Sequence, residues 1–440
     1  MNTYWCEQAW LPDGVACKVE VRSGSDGRIV AVRTGVPPVP GVHRLPGLVL
    51  PGMANAHSHA FHRALRGRTQ GSTFLRWRTE MYDLARRLDP DRYLALATAV
   101  YAELVVAGWT CLGEFHYLHH DRGGRRYAQP TVMADALRAA AGHARIRLTL
   151  LDTCYLTGGF GMPLAAEQAR FGDATVAAWA DRLGAHPADT ATSRTGAAIH
   201  SVRAVPRHAL PDVVAATGAR PLHVHLAEQV DEVVGCRAAH GVSPARLLHD
   251  TGVLSERTTV VHAIHLDDTD IRLLGAAGVS VAACPSTEAD LADGIGPFAD
   301  LAAVGCPIVL GSDQHVVVDP FAEARALEHG QRLRTGRRGR FTVGELVRVL
   351  TGAAHAALGW PGDGVLAPGA ACDLVAVRAD SARTAGCLPA QILLAATASD
   401  VHTVVVGGAV VAEAGRHVVL GDVGTLLRAA IGEVWACAAP

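Results

Sequence analysis

Eight apolar runs, each halted by a polar residue, punctuate the middle of the chain. They read LVLPGMANAHSH (Leu48 to His59), GWTCLGEFHY (Gly108 to Tyr117), IRLTLLDTCY (Ile146 to Tyr155), GAAIHSVR (Gly196 to Arg203), PLHVHLAE (Pro221 to Glu228), TTVVHAIH (Thr258 to His265), GVSVAACPSTE (Gly278 to Glu288) and CPIVLGSDQH (Cys306 to His315). Such near-continuous hydrophobic stretches suit strands buried on both faces of a parallel sheet, and Ala-, Leu- and Arg-rich segments of helical period separate them. Eight strand-then-helix units predict a (β/α)8 barrel. The chain ends pattern differently. Residues 1–49 hold the strand-like GVACKVEVRS and GRIVAVRTG, and residues 363–440 hold GVLAPGAACDLVAV and VHTVVVGGAVV, the second with a Gly407-Gly408 hairpin turn. Two all-β pieces so far apart are expected to pair, which leaves residues 50–362 for the barrel. A capping box at Thr342 and Glu345 predicts the start of a helix carrying LVRVLTGAAHAALG.

Barrel enzymes carry their chemistry at the C-terminal ends of the strands, and here those ends hold His57 and His59, Glu114, His200, His225, Glu228, His262 and Asp313. In extended backbone a His-x-His pair points both imidazoles to one side. That arrangement suits a divalent metal of zinc type. The pair alone is a weak signal, because 22 histidines in 440 residues give roughly one such spacing by chance. The joint placement at successive strand ends carries the argument.

This set resembles the amidohydrolase superfamily, and within it the branch of mononuclear metal-dependent deaminases. The resemblance implies one divalent metal, zinc first among the candidates, held by His57, His59, His225 and Asp313. Relatives with two metals bridge them through a carboxylated lysine, whereas the only lysine here, Lys18, lies far upstream of the barrel. The resemblance further implies hydrolysis by a zinc-activated water, with Asp313 as ligand and base and Glu228 moving protons at the substrate nitrogen. His262 and His200 would orient the water or the developing tetrahedral centre. Glu228, three residues after His225, is expected in the first turn of the following helix.

The strings PGMANAHSHAFHRAL, RWRTEMY, GEFHYLHH, IHSVRAVP, HLAEQ, CPSTEADLADGI and GSDQH, spread from Pro51 to His315, are similar to the formimidoylglutamate deiminase family. Those enzymes of histidine breakdown convert N-formimidoyl-L-glutamate into N-formyl-L-glutamate and ammonia. The likeness implies a small acidic substrate, with Arg203 and Arg78 on its carboxylates and Tyr117 and His62 as further contacts. The planar fork of arginine matches a carboxylate. Two positions depart from the family pattern. His62 stands where glutamine is usual, and Asp290 brings a carboxylate that would repel an acidic ligand if it faced the pocket.

The alternative within enzymes is an aminohydrolase acting on a guanine, cytosine or adenosine-type ring or on a related N-formimino amino acid. Ring substrates call for aromatic walls, and Phe, Trp and Tyr make up 5% of the chain. A barrel that binds metal and ligand without turnover is the remote alternative, opposed by the presence of Glu228, His262 and Asp313.

Composition agrees with the partition: 440 residues, 49% of them hydrophobic, can bury one large barrel and a minor domain. No N-terminal signal and no apolar stretch of about 18 residues is seen, so a cytoplasmic protein without a membrane partner is expected. Ten cysteines without CxxC spacing read as reduced core residues. A net charge of −2 argues against nucleic acid as a partner. The basic RLRTGRRGR (Arg332 to Arg340) reads as a solvated loop. The resemblance adds that residues 1–49 and 363–440 pair as a small β-sandwich domain built from both chain ends, and assembly as a homodimer.

Overall fold

A computed structural model describes residues 2–71 and 73–436. Among them two eight-stranded sheets dominate. The barrel strands are Met53–Ser58, Trp109–His116, Arg147–Cys154, Ser193–Ile199, Leu222–Leu226, Thr258–His262, Ser280–Ala283 and Ile308–Leu310. They lie in sequence order, and every neighbouring pair is parallel. Seven of them fall within the apolar runs, and the fourth, Ser193–Ile199, begins three residues before its run. Helices such as Pro90–Ala107, Val132–Ala144, Val176–Gly184 and Asp268–Ala277 connect them, so the (β/α)8 architecture holds.

The barrel closes between its first and eighth strands, at the ends that carry the histidines. Ser58 bridges Asp313 in parallel, the Asp313 N–H donates to the His57 carbonyl at 3.0 Å, and the His59 N–H donates to the Asp313 carbonyl at 3.0 Å. Gly311 permits this approach, since a Cβ there would lie 2.7 Å from the His57 carbonyl oxygen. Buried Asn55 ties the same seam, donating from Nδ2 to Ser312 Oγ at 2.6 Å and accepting the Ser312 N–H at 3.0 Å.

The first apolar run divides at Gly52. Leu48 to Pro51 finish the strand His43–Pro51 of the other sheet, and the barrel begins at Met53. That other sheet is mixed, and both chain ends build it. Leu374–Val377 pairs antiparallel with His43–Pro51, which in turn lies parallel to Thr3–Leu11. Arg28 bridges Ala371 and the Ile29 N–H donates to the Ala370 carbonyl, so the sheet curls back on itself. Tyr4, Val19, Val21, Ile29, Leu45, Leu374 and Val405 fill its own apolar core. The expected Gly407-Gly408 turn joins Val401–Val406 to Ala409–Glu413, with positive φ at both glycines.

Three local features differ from the sequence expectations. The all-β reading of the C-terminal piece omitted the helix Val423–Ala436. It lies on barrel helices Phe74–Arg87 and Pro90–Ala107, with Trp435 donating to the Ala64 carbonyl at 3.1 Å beneath the Arg68 and Arg87 guanidinium groups. The capping box at Thr342 and Glu345 forms, but the helix it opens ends at Leu350 and a second, Gly352–Ala357, follows. Thr351 separates them with φ −122° and ψ −104°. The basic run is less solvated than expected. Arg332 and Arg334 belong to the helix Pro320–Thr335 and pair with Glu328 and Asp300. Buried Glu328 also accepts the N–H groups of Gly339, Arg340 and Phe341. No described cysteine forms a disulfide, and no described helix is long and apolar enough to cross a membrane.

Candidate active site

The strand ends deliver four buried imidazoles and a carboxylate to one point. His57 is the penultimate residue of the first strand and His59 follows that strand; His225 lies in the fifth, His262 ends the sixth, and Asp313 follows the eighth. His225 Nε2 lies 3.2 Å from His57 Nε2, and Asp313 Oδ1 lies 3.5 Å from His57 Nε2 and 3.4 Å from His59 Nε2. The backbone sets the tautomers of two of these rings. His59 Nδ1 donates to the Phe115 carbonyl at 2.9 Å and His225 Nδ1 to the His200 carbonyl at 2.8 Å, which turns both Nε2 lone pairs into the cluster. Burial pushes His57, His59 and His225 below the ordinary histidine value, so they stay neutral. Neutral nitrogens facing one another around a carboxylate repel unless a cation lies among them, and ligands on one zinc ion are separated by about 3.3 Å. The donor set fits a divalent metal.

Among the described residues three donor groups lie close enough to share an ion: His57 with His59 and Asp313, His57 with His225 and His262, and His262 with Cys284 and Glu288. His262 differs from the rest in its surroundings. Its Nδ1 lies 3.4 Å from Glu288 Oε1, and its Nε2 lies 3.8 Å from both Glu228 Oε1 and Asp313 Oδ2. Burial opposes its charge, but Glu228, Glu288 and Asp313 outweigh that and raise it to about 10. Burial likewise opposes the charge on Asp313, and His57 and His262 hold it at about 2. His262, Ala263 and Asp313 all adopt positive φ, a conformation that costs a non-glycine residue about 1–3 kcal/mol and that tends to collect at functional sites.

A cavity of about 120 Å³ opens over this cluster. His59, His62, Arg78, Tyr117, His200, Arg203, His225, Glu228, His262 and Asp313 all line it, so the structure brings the sequence-nominated residues together, His57 lying just beneath. Glu228 corrects the helical expectation. It sits in the turn before the helix Val230–His240, because Ala227 takes φ +49° and redirects the chain. His62 points into the cavity with Nε2 2.8 Å from the Tyr117 hydroxyl. Asp290 does not line it; Gln314 donates to its Oδ2 at 3.1 Å. A larger cleft of about 1510 Å³ lies at the opposite ends of the strands, around Arg194, Arg220 and Pro307, and holds none of the clustered imidazoles.

Five residues of the site escaped the sequence reading. Glu288 holds His262 and accepts the Cys284 N–H at 2.8 Å. Glu232 accepts from Arg203 Nε at 3.0 Å, Gln229 donates to buried Asp293, and Asn55 braces the metal-side seam. Glu232 and Glu288 stand in the first turns of their helices, where an acid reads as an ordinary dipole-stabilised surface group, and Asp293 lies in the loop between Pro285–Asp290 and Phe298–Ala303. Glu114, noted for its strand-end position, faces away from the cavity; its buried carboxyl accepts from Ser58 Oγ and the Ala60 N–H.

The chain belongs to the amidohydrolase family, whose profile matches residues 48–411. It is 37% identical over 437 residues to formimidoylglutamate deiminase of Pseudomonas aeruginosa, covering 95% of this chain and 96% of that one. An 8-oxoguanine deaminase of the same organism is 32% identical over 82% of this chain and 81% of its own length. The crystal structure of an amidohydrolase from Brucella melitensis superposes with a TM-score of 0.92 at 32% identity, covering 99% of this chain and all of that one. An adenosine deaminase from Xanthomonas campestris, solved with bound zinc, shares the fold with a TM-score of 0.83 at 22% identity over 99% of this chain and 98% of that one.

Proposed function

We propose that this protein is a formimidoylglutamate deiminase, hydrolysing N-formimidoyl-L-glutamate to N-formyl-L-glutamate and ammonia. The observation that carries the reading is that Arg78 and Arg203, two forks suited to a dicarboxylate, line the same small cavity as Glu228, His262 and Asp313. The near full-length likeness to the Pseudomonas aeruginosa enzyme supports it.

His57, His59, His225 and Asp313 would hold one divalent ion, zinc being the choice that the nitrogen and oxygen donors favour. Bound there, zinc supplies Lewis acidity that brings the pKa of a coordinated water from about 16 down to about 7. Asp313, anionic well below neutral pH, accepts the proton of the attacking water. Glu228 protonates the formimino nitrogen, which makes the carbon more electrophilic, and hands on the proton with which ammonia departs. His262, fixed through Nδ1 by Glu288, directs Nε2 at the oxygen that develops charge. His200 shapes the same wall, its ring 5.2 Å from that of His225. Arg203 and Arg78 hold the carboxylates, and Tyr117 and His62 present polar atoms between them. Residues 50–362 form the catalytic unit in this reading, residues 1–49 and 363–440 its companion sheet, and the assembly is a cytoplasmic homodimer.

A ring aminohydrolase is the second reading, and one observation favours it. Trp77, Tyr82, Tyr117, Tyr155 and Phe171 line the cavity. The low overall aromatic content therefore does not speak against a ring, because the aromatic residues concentrate where a ring would bind.

Ammonia release by the zinc-loaded protein from formimidoylglutamate, 8-oxoguanine, guanine, cytosine and adenosine decides between them. Turnover of formimidoylglutamate is expected, and turnover of ring substrates alone would overturn the proposal. In the same assay Glu228→Gln should retain its metal, measured by atomic absorption, and lose about 10³-fold or more in kcat. Loss of metal along with activity would remove Glu228 from proton transfer.

A further inference from the structure

Glu232 reaches two parts of the site at once without lining the cavity. It stands in the first turn of the helix Val230–His240, its side chain 1% exposed. Its Oε2 accepts the Arg203 Nε–H at 3.0 Å and its Oε1 accepts the Ala227 N–H at 2.8 Å. Arg203 follows the fourth barrel strand and lines the cavity. Ala227 directly precedes Glu228 and holds φ +49°, a left-handed conformation that costs alanine about 1–2 kcal/mol. Pairing through Nε is side-on, so it fixes the plane of the guanidinium and leaves both terminal nitrogens to fork onto a carboxylate. The bond to Ala227 stabilises the turn that aims Glu228.

Resting on the deiminase reading, we propose that Glu232 is a positioning residue coupling carboxylate capture to proton delivery, one buried carboxylate setting both the Arg203 fork and the Glu228 turn. Solvent does not reach Glu232 to replace either link, although the Arg203 side chain is one-third exposed. Removing either partner leaves the other's charge or N–H uncompensated.

Glutarate, a dicarboxylate with nothing to hydrolyse, reports the first link by calorimetry on the zinc-loaded protein. Glutamine at position 232 can still accept the Ala227 N–H but offers Arg203 no charge. Glu232→Gln should therefore weaken glutarate binding about 10-fold, and adding it to Arg203→Ala should weaken binding no further. Equal binding by wild type and Glu232→Gln, additive losses, or no glutarate binding to wild type would each overturn the first link. The second link is read from turnover. Glu232→Ala, which also strips the Ala227 N–H of its partner, should lower kcat about 10-fold beyond Glu232→Gln, whose main effect falls on KM. Matching kcat values in the two variants would overturn the coupling to Glu228. Wild-type ammonia release tests the deiminase reading separately: glutarate binding as expected with no turnover of formimidoylglutamate would sink that reading and leave the Arg203 link standing.

Discussion

His62 shows what one side chain can and cannot change. Its ring is buried, with Nε2 beside the Tyr117 hydroxyl and Nδ1 without a hydrogen-bond partner. Burial lowers its pKa to about 4, so at neutral pH it offers one donor and one acceptor, as the glutamine amide usual at this position would. His62→Gln should keep kcat/KM within about tenfold of wild type, whereas His62→Phe, which leaves the buried Tyr117 hydroxyl without that partner, should cost about 1–3 kcal/mol, read mainly in KM. Steady-state kinetics on the three proteins would check this, and a His62→Phe variant with unchanged KM would remove His62 from the substrate wall. At this scale the metal side of the site was legible and its supports were not. Imidazoles at strand ends have few ordinary uses when they recur together. A buried carboxylate such as Glu288 or Glu232 is indistinguishable in sequence from the acids that decorate any helix start. Candidate substrate contacts were intermediate: Arg78 and Arg203, nominated through motif positions, line the cavity, whereas Asp290, suspected of facing it, pairs with Gln314.

At the scale of elements, strands were readable because each is hydrophobic on both faces, while the connections that shape the cavity carry no such pattern. The segment between the third strand and the helix Val176–Gly184 contributes Gln168 and Phe171 to the cavity wall, and buried charge anchors it. Arg182 donates from NH2 to Asp152 at 3.0 Å and to Asp173 at 2.9 Å, while His186 Nε2 lies 2.8 Å from Asp152. Replacing Arg182 with leucine strands two buried carboxylates, and a loss of about 3–5 kcal/mol is expected in urea unfolding. The pH dependence has a definite sign. Burial opposes the charge on Asp152, but Arg182 and His119 prevail and hold it well below the usual carboxylate range. Its stabilising contribution is therefore complete above the unfolded value of about 3.9 and disappears as pH falls through the lower folded value. Stability of wild type should drop more steeply than that of Asp152→Asn below about pH 4, and parallel acid limbs would count against the assignment.

Across the whole molecule, the barrel and the mixed sheet share one continuous stretch of chain, the strand His43–Pro51 running through Gly52 into Met53–Ser58. The pairing of the two distant β-pieces followed from their period, since neither could bury its apolar face alone. Their attachment to the barrel did not, because Leu48, Leu50, Val375, Val401 and Val404 share an apolar cluster with barrel residues that no sequence period marks, and isolated buried polar contacts lock the joint. Arg147, opening the third barrel strand, donates to Asp373 from Nε at 2.9 Å and from NH2 at 3.2 Å, with both side chains buried. Asp373 Oδ1 also accepts the Gly407 N–H at 2.7 Å, so one carboxylate joins barrel, return strand and hairpin turn. Asp373→Ala leaves a buried guanidinium without its counter-charge and should cost about 3–5 kcal/mol, whereas Arg147→Met combined with Asp373→Leu restores apolar contact and should recover most of that loss. The recovery stops short of wild type by about 1–3 kcal/mol, because the Gly407 N–H has lost its acceptor. Urea midpoints of wild type and the two variants measure both differences. A double variant no more stable than Asp373→Ala would show that the pair stabilises the junction through its charges rather than through the filled volume.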